Sequence, residues 1–191
     1  MTAPARSLTP DSVLVNGVDT RALMATVNAI KDDPGLGACR FRARNTWLSG
    51  NHNRSVVTGF FGARQEIAHA QTFTMDADEP AILAGHDQAA NPVEHLLHAL
   101  ASCLTTSLVA HAAVRGIEVE ELESELEGDI DLRGFLGLDQ HVPRGYTAIR
   151  VAFRAKGTTE NLARLRELAE FSPVFNTLSH GTRVDVTVQA K

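Results

Sequence analysis

The sequence predicts an α+β domain in which antiparallel strands gather around one long, uncharged helix. Alternating apolar and polar residues mark strands on both sides of residues 91–115. Between them lies a helical stretch with no Asp, Glu, Lys or Arg from His95 to Val114. Hairpin-ordered strands, rather than strand–helix–strand crossovers, separate this pattern from a doubly wound parallel sheet.

The elements follow in chain order. Residues 1–12 read as a flexible tail. Leu23, Val27 and Ile30 recur at helical spacing within Val18–Ile30, with Asp19 as the expected N-cap and Asp32-Asp33-Pro34-Gly35 as the stop. From Arg40 to Leu48 the residues alternate, Phe41, Ala43, Asn45 and Trp47 opposing three arginines, which predicts a strand with one wet side. A turn at residues 50–53 returns it as Arg54–Phe61. A third strand over Glu66–Met75 follows Gly62, and Asp76–Ala90 reads as a polar loop.

Asn91 then offers an N-cap, Pro92 suits the first helical position, and Glu94 completes a capping box. This helix runs to about Arg115 and stops at Gly116. It is long enough to span a bilayer. Its three histidines and its serines and threonines point instead to a helix enclosed by protein, with a second copy of the chain supplying part of the cover. Period-two leucines predict a strand over Glu118–Leu132, and a glycine-rich loop leads to another through Ile149, Val151 and Phe153. Thr159 is the expected cap of a helix over Glu160–Glu170, Ser172-Pro173 opens a short second helix, and Val184, Val186 and Val188 alternate in a closing strand.

The 191 residues fit one domain over 38–191, with residues 1–37 as a tail and helical extension. A net charge of -5 without a basic stripe argues against nucleic acid as a partner. The first twelve residues lack the apolar core of a secretory signal, so a cytoplasmic location is expected, with no membrane partner. Two cysteines make no disulfide framework, which directs attention to their reactivity.

Cys103 is the leading candidate for chemistry. A cysteine on a buried helix is commonly a small hydrophobe. It lies ~14 Å along the helix from its first turn, too far for the helix dipole to activate it. A reactive thiolate there needs a cation from elsewhere, and Arg54 is the candidate. Cys39, at the start of a strand among arginines, reads as a solvated edge residue. His95, His98 and Glu94 lack the spacing of a metal-binding helix, so no metal or cofactor is expected. His111 lies ~12 Å beyond Cys103, out of reach for a Cys-His dyad.

The segment NPVEHLLHALASCLTTSL (Asn91–Leu108) resembles the signature of the OsmC/Ohr superfamily of osmotically inducible and organic-hydroperoxide-resistance proteins. SPVFNTL (Ser172–Leu178) is similar to that family's second-cysteine motif, and NTWLSGNHNRSVV (Asn45–Val57) to its N-terminal hairpin. The resemblance covers about residues 38–191, and the preceding helix resembles the extension of one OsmC-like branch. It implies an intertwined homodimer around central helices, with the peroxidatic cysteine at Cys103. In that family a thiolate attacks a hydroperoxide, a second cysteine forms a disulfide, and an external thiol restores the enzyme. An arginine and a glutamate at the helix start hold the thiolate ready. Here the second-cysteine position is Ser172, the glutamate position is Val93 with Glu94 beside it, and the arginine position falls near His52, two residues before Arg54.

These departures give two expectations. In the first, Cys103 is a one-cysteine peroxidase thiolate acting on small organic hydroperoxides, partnered by Arg54, with His52, Glu94 and Ser172 in support and an external thiol as reductant. In the second, the same fold binds a small apolar ligand without catalysis. A Cys39–Cys103 disulfide is a third route, restoring two-cysteine chemistry.

Overall fold

The computed structural model describes residues 13–190, so the tail expected over residues 1–12 lies outside the described residues. The chain divides into two compact units, residues 1–96 and 97–191. The first opens with a two-residue hairpin that the sequence pattern did not announce, β1 (Leu14–Val15) against β2 (Val18–Asp19). Helix α1 (Thr20–Asp32) follows, with the Asp19 carboxylate accepting from the Ala22 N–H at 2.9 Å as the expected cap. Its half-buried face carries Leu23, Val27 and Ile30.

The strand expected over 40–48 breaks in two, β3 (Arg40–Phe41) and β4 (Arg44–Ser49), both antiparallel to β5 (His52–Gly62). Every residue of β4 is exposed, so the strand has two wet sides within this chain rather than one. On the other edge of β5 lies β6 (Gln65–Ala77), two residues longer at its end than expected. Asp76 therefore belongs to a strand and not to the loop. That loop closes around Asp78, whose fully buried carboxylate accepts from the backbone N–H groups of Glu79, His86 and Gln88 at 2.9, 3.0 and 3.3 Å.

Helix α2 (Pro92–Val114) begins as its sequence dictates. Asn91 Oδ1 accepts from the Glu94 N–H at 2.9 Å, and Glu94 Oε2 accepts from the Asn91 N–H at 2.8 Å, which closes the capping box. Gly116, at φ +65°, ends the helix in the left-handed region that favours glycine. By length and composition α2 could cross a membrane. Only Leu100, Leu104, Leu108, Ala112 and Ala113 are buried along it, a stripe at four-residue spacing. Enclosure on nearly all sides is thus not met by one chain, which covers a single face.

In the second unit that face meets a core of Leu108, Ala112, Ile117, Leu165 and Leu168. The hairpin of β7 (Glu121–Asp129) and β8 (Ala148–Lys156) supplies Leu122 and Phe153 to it. The helix-favouring glutamates of β7 occupy its wet face, where Glu123 and Glu125 pair with Arg154. Gly128 is required in mid-strand, because a Cβ there would run into the Tyr146 ring. The strand stops at Asp129, short of the expected Leu132. Asp131 instead caps a single helical turn, α3 (Leu132–Phe135), by accepting from the Arg133 N–H.

Helix α4 (Thr159–Leu168) is capped by Thr158 rather than Thr159. After a 3-10 turn, α5 (Pro173–His180) opens at Ser172. The closing strand does not form: residues 181–190 have no regular structure, and Val184, Val186 and Val188 are 76%, 82% and 93% exposed. A strand needs a partner ladder for its backbone groups, and none within the described chain pairs with these valines.

Candidate functional site

The first unit builds a charged cluster on the β5–β6 pair. Arg54 and Asp76 are cross-strand partners, so their side chains leave the sheet on the same face. Arg54 Nε donates to Asp76 Oδ1 at 2.6 Å and Nη2 to Oδ2 at 2.8 Å, a bidentate pair. His52, two residues before Arg54 and on the same face, approaches Oδ2 with Nε2 at 3.1 Å. A carboxylate only accepts, so this nitrogen carries the proton. The Arg54 guanidinium, and after it His52, holds the Asp76 carboxyl well below the usual carboxylate range. Asp76 in turn raises the Arg54 pKa. His95, at the start of α2, donates Nε2–H to the Asp76 carbonyl at 2.9 Å.

This arrangement spends Nε and one Nη of Arg54 on a fixed carboxylate, and Nη1 has no hydrogen-bond partner among the described residues. Sequence reasoning singled out Arg54 and His52 but missed Asp76. It weighed His95 only as a metal ligand, set that aside on spacing, and did not foresee that its ring serves the strand end.

The second unit carries Cys103, half-buried on α2 directly before Leu104 of the buried stripe. Cys103 and the exposed Cys39 are both free thiols. Glu94 is committed to the capping box, and Val93 offers no carboxylate. Ser172 is fully buried, and its Oγ accepts from the Phe175 N–H at 3.3 Å, the N-cap of α5. Near the end of α2, the His111 ring stacks on Phe171 at 4.2 Å, and Arg115 Nη1 donates to His111 Nδ1 at 3.0 Å. Burial, with the Arg115 charge behind it, lowers the His111 pKa.

The buried stripe of α2 borders a cavity of about 750 Å³, lined by Leu104, Leu108, Phe153, Leu162, Leu165 and Phe175 among others. Cys103 is not among its lining residues. Neither this cavity nor the two arginines that border it, Arg154 and Arg166, was foreseen from the sequence. Two amphipathic strands and a helix face announce apolar residues, but not the space left between them.

Antiparallel hairpins before and after a long helix that carries a free thiol define the class. A family model described as OsmC-like protein matches residues 85–187, more than half of the chain, which therefore belongs to the OsmC-like family. No curated protein matches the sequence. Among solved structures, a Psychrobacter arcticus 273-4 protein named for osmotic stress induction and a detoxification response is similar at a TM-score of 0.54 and 16% identity. The match covers 71% of this chain and 85% of that one. An OsmC-like protein from Mycoplasma pneumoniae is similar at a TM-score of 0.54 and 15% identity, over 73% of this chain and 87% of that one. At these identities the likeness is one of fold.

Proposed function

We propose that this chain is a one-cysteine thiol peroxidase acting on small organic hydroperoxides, with Cys103 as the attacking thiolate and Arg54 as its electrostatic partner. The observation that carries the reading is a free, half-buried cysteine on the uncharged helix of an OsmC-like family chain. The Cys103 thiolate attacks the terminal oxygen of ROOH; the S–O bond forms as the O–O bond breaks. The departing alkoxide takes a proton and leaves as the alcohol, and Cys103 becomes a sulfenic acid. An external thiol attacks that sulfur, water leaves, and a mixed disulfide forms. A second external thiol then attacks the external sulfur of that mixed disulfide, which breaks its S–S bond and frees the Cys103 thiolate while the two external thiols leave joined as a disulfide.

Each neighbouring group has its part in this reading. Asp76 fixes the orientation of Arg54, and His52 fixes Asp76. Ser172 holds a helix end instead of a resolving sulfur, which is why the reductant attacks Cys103 directly. The chain acts in the cytoplasm as a homodimer whose second copy covers the exposed flank of α2.

Thiol-dependent consumption of cumene hydroperoxide tests the proposal. Cys103→Ser abolishes turnover and Cys39→Ser retains it. Arg54→Gln slows turnover at neutral pH, as loss of the cation that favours a thiolate would. Equal rates for the wild type and Cys103→Ser would discard the peroxidase reading.

A further inference from the structure

We propose that the cavity in residues 97–191 binds an amphipathic monocarboxylate, with its hydrocarbon chain inside and its carboxylate on Arg166. The inference is separate from the peroxidase reading, because the cavity lies on the Leu104–Leu108 face of α2 and Cys103 does not line it. Its volume of about 750 Å³ suits a small molecule. The lining comes from α2, β7, β8, α4 and α5, and it is aliphatic and aromatic except for two guanidinium groups.

Those two cations differ in what they still have to give. Arg154 donates from Nε to Glu123 at 3.0 Å and from Nη2 to Glu125, so its charge is matched twice. Arg166, in the last turn of α4, has no ion pair or side-chain hydrogen bond among the described residues. One unspent guanidinium beside an apolar cavity matches one negative charge at the end of an apolar chain. A polypeptide segment fits less well, since its buried N–H and C=O groups would find almost no polar lining to bond. The carboxylate therefore sits at the exposed Arg166, and the chain runs in between Leu108, Phe153 and Leu162.

Calorimetric titration of the full chain with decanoate and with decan-1-ol tests this. The wild type binds decanoate at one site per chain and the alcohol about tenfold more weakly, the worth of one charge-assisted hydrogen bond. Arg166→Gln binds decanoate about tenfold more weakly, as it would the alcohol, whereas Arg154→Gln keeps the preference for the acid. Cys103→Ser binds decanoate as the wild type does, so an inert thiol leaves this proposal standing. Failure of decanoate to saturate, as when a second copy fills the cavity, overturns it. So does equal binding of acid and alcohol, or an Arg166→Gln variant that keeps its preference.

Discussion

Arg54 and Asp76 stand directly opposite each other on β5 and β6 and close a bidentate ion pair, to which His52 adds a third contact on the same carboxylate. The folded state therefore holds Asp76 ionised at pH values where an unfolded chain would protonate it. A carboxyl whose folded pKa is depressed contributes stability above its unfolded value of about 4 and loses it as the pH falls towards the folded value. Asp76→Asn is thus expected to flatten the acid limb of the stability profile below about pH 4. Urea midpoints measured from pH 6 downwards, for both proteins, check this. Parallel acid limbs would show that the pair has no bearing on stability.

That relationship was hidden from the sequence for a definite reason. Near the turn, Gly62 pairs with Gln65 and Phe60 with Ile67; continued without interruption, that register would set Phe73 opposite Arg54. A bulge between Val57 and Gly59 shifts it, so Phe73 meets Val57 and Asp76 meets Arg54. Alternation reveals that strands exist, but a bulge leaves no mark on it. The capping residues were more legible, because Asn91, Glu94 and Ser172 act on N–H groups within three residues of themselves. The valines of 184–188 carry a strand pattern without a ladder in this chain. Pattern reports what a segment can pair as, and pairing depends on what lies beside it.

His111 offers a second pH signature, of different origin. Its ring is stacked on Phe171 and accepts from Arg115, so protonation would place a second charge beside that guanidinium in a partly dry setting. The folded pKa lies below the ordinary value of about 6.5. Below that pH an unfolded chain takes up a proton that the folded chain resists, and stability falls. NMR titration is expected to show His111 changing state at lower pH than an unperturbed histidine. His111→Gln is expected to lose part of the decline in stability as the pH falls below about 6.5. A His111 midpoint at or above the ordinary value would sink this reading.

Ser172 tests whether the place of a missing second cysteine has been given over to structure. Its hydroxyl caps α5, and its carbonyl accepts from both the backbone and side-chain amides of Asn176, at 3.0 and 2.9 Å. Ser172→Ala keeps the backbone bonds and loses the cap, at an expected cost of about 1 kcal/mol. The denaturation midpoint should fall with an unchanged slope. Peroxide turnover at a temperature where both proteins are folded should stay near the wild-type rate. A large loss of turnover without a loss of stability would give Ser172 a part in the chemistry.

The apolar surface left open is the strongest reason to expect a second copy of the chain. Phe41 and Trp47 are 74% and 71% exposed on the first unit's sheet. Phe41, Phe60, His69 and Phe73 form a run of ring contacts beside them. On the second unit the three valines of 184–188 stand free, and one flank of α2 is only partly covered. Exposed apolar area of this extent is uncommon on a monomer and ordinary on an obligate interface. Light scattering is expected to return twice the chain mass of 20.6 kDa across dilution to low micromolar concentration. Replacing Val184, Val186 and Val188 together by serine removes apolar contact and strand preference while keeping the backbone, so the pair should dissociate at higher concentration than the wild type. A wild type that scatters as a single chain would contradict the dimer; a triple variant that stays as tightly paired would move the interface away from the C-terminal segment, to the sheet face around Trp47.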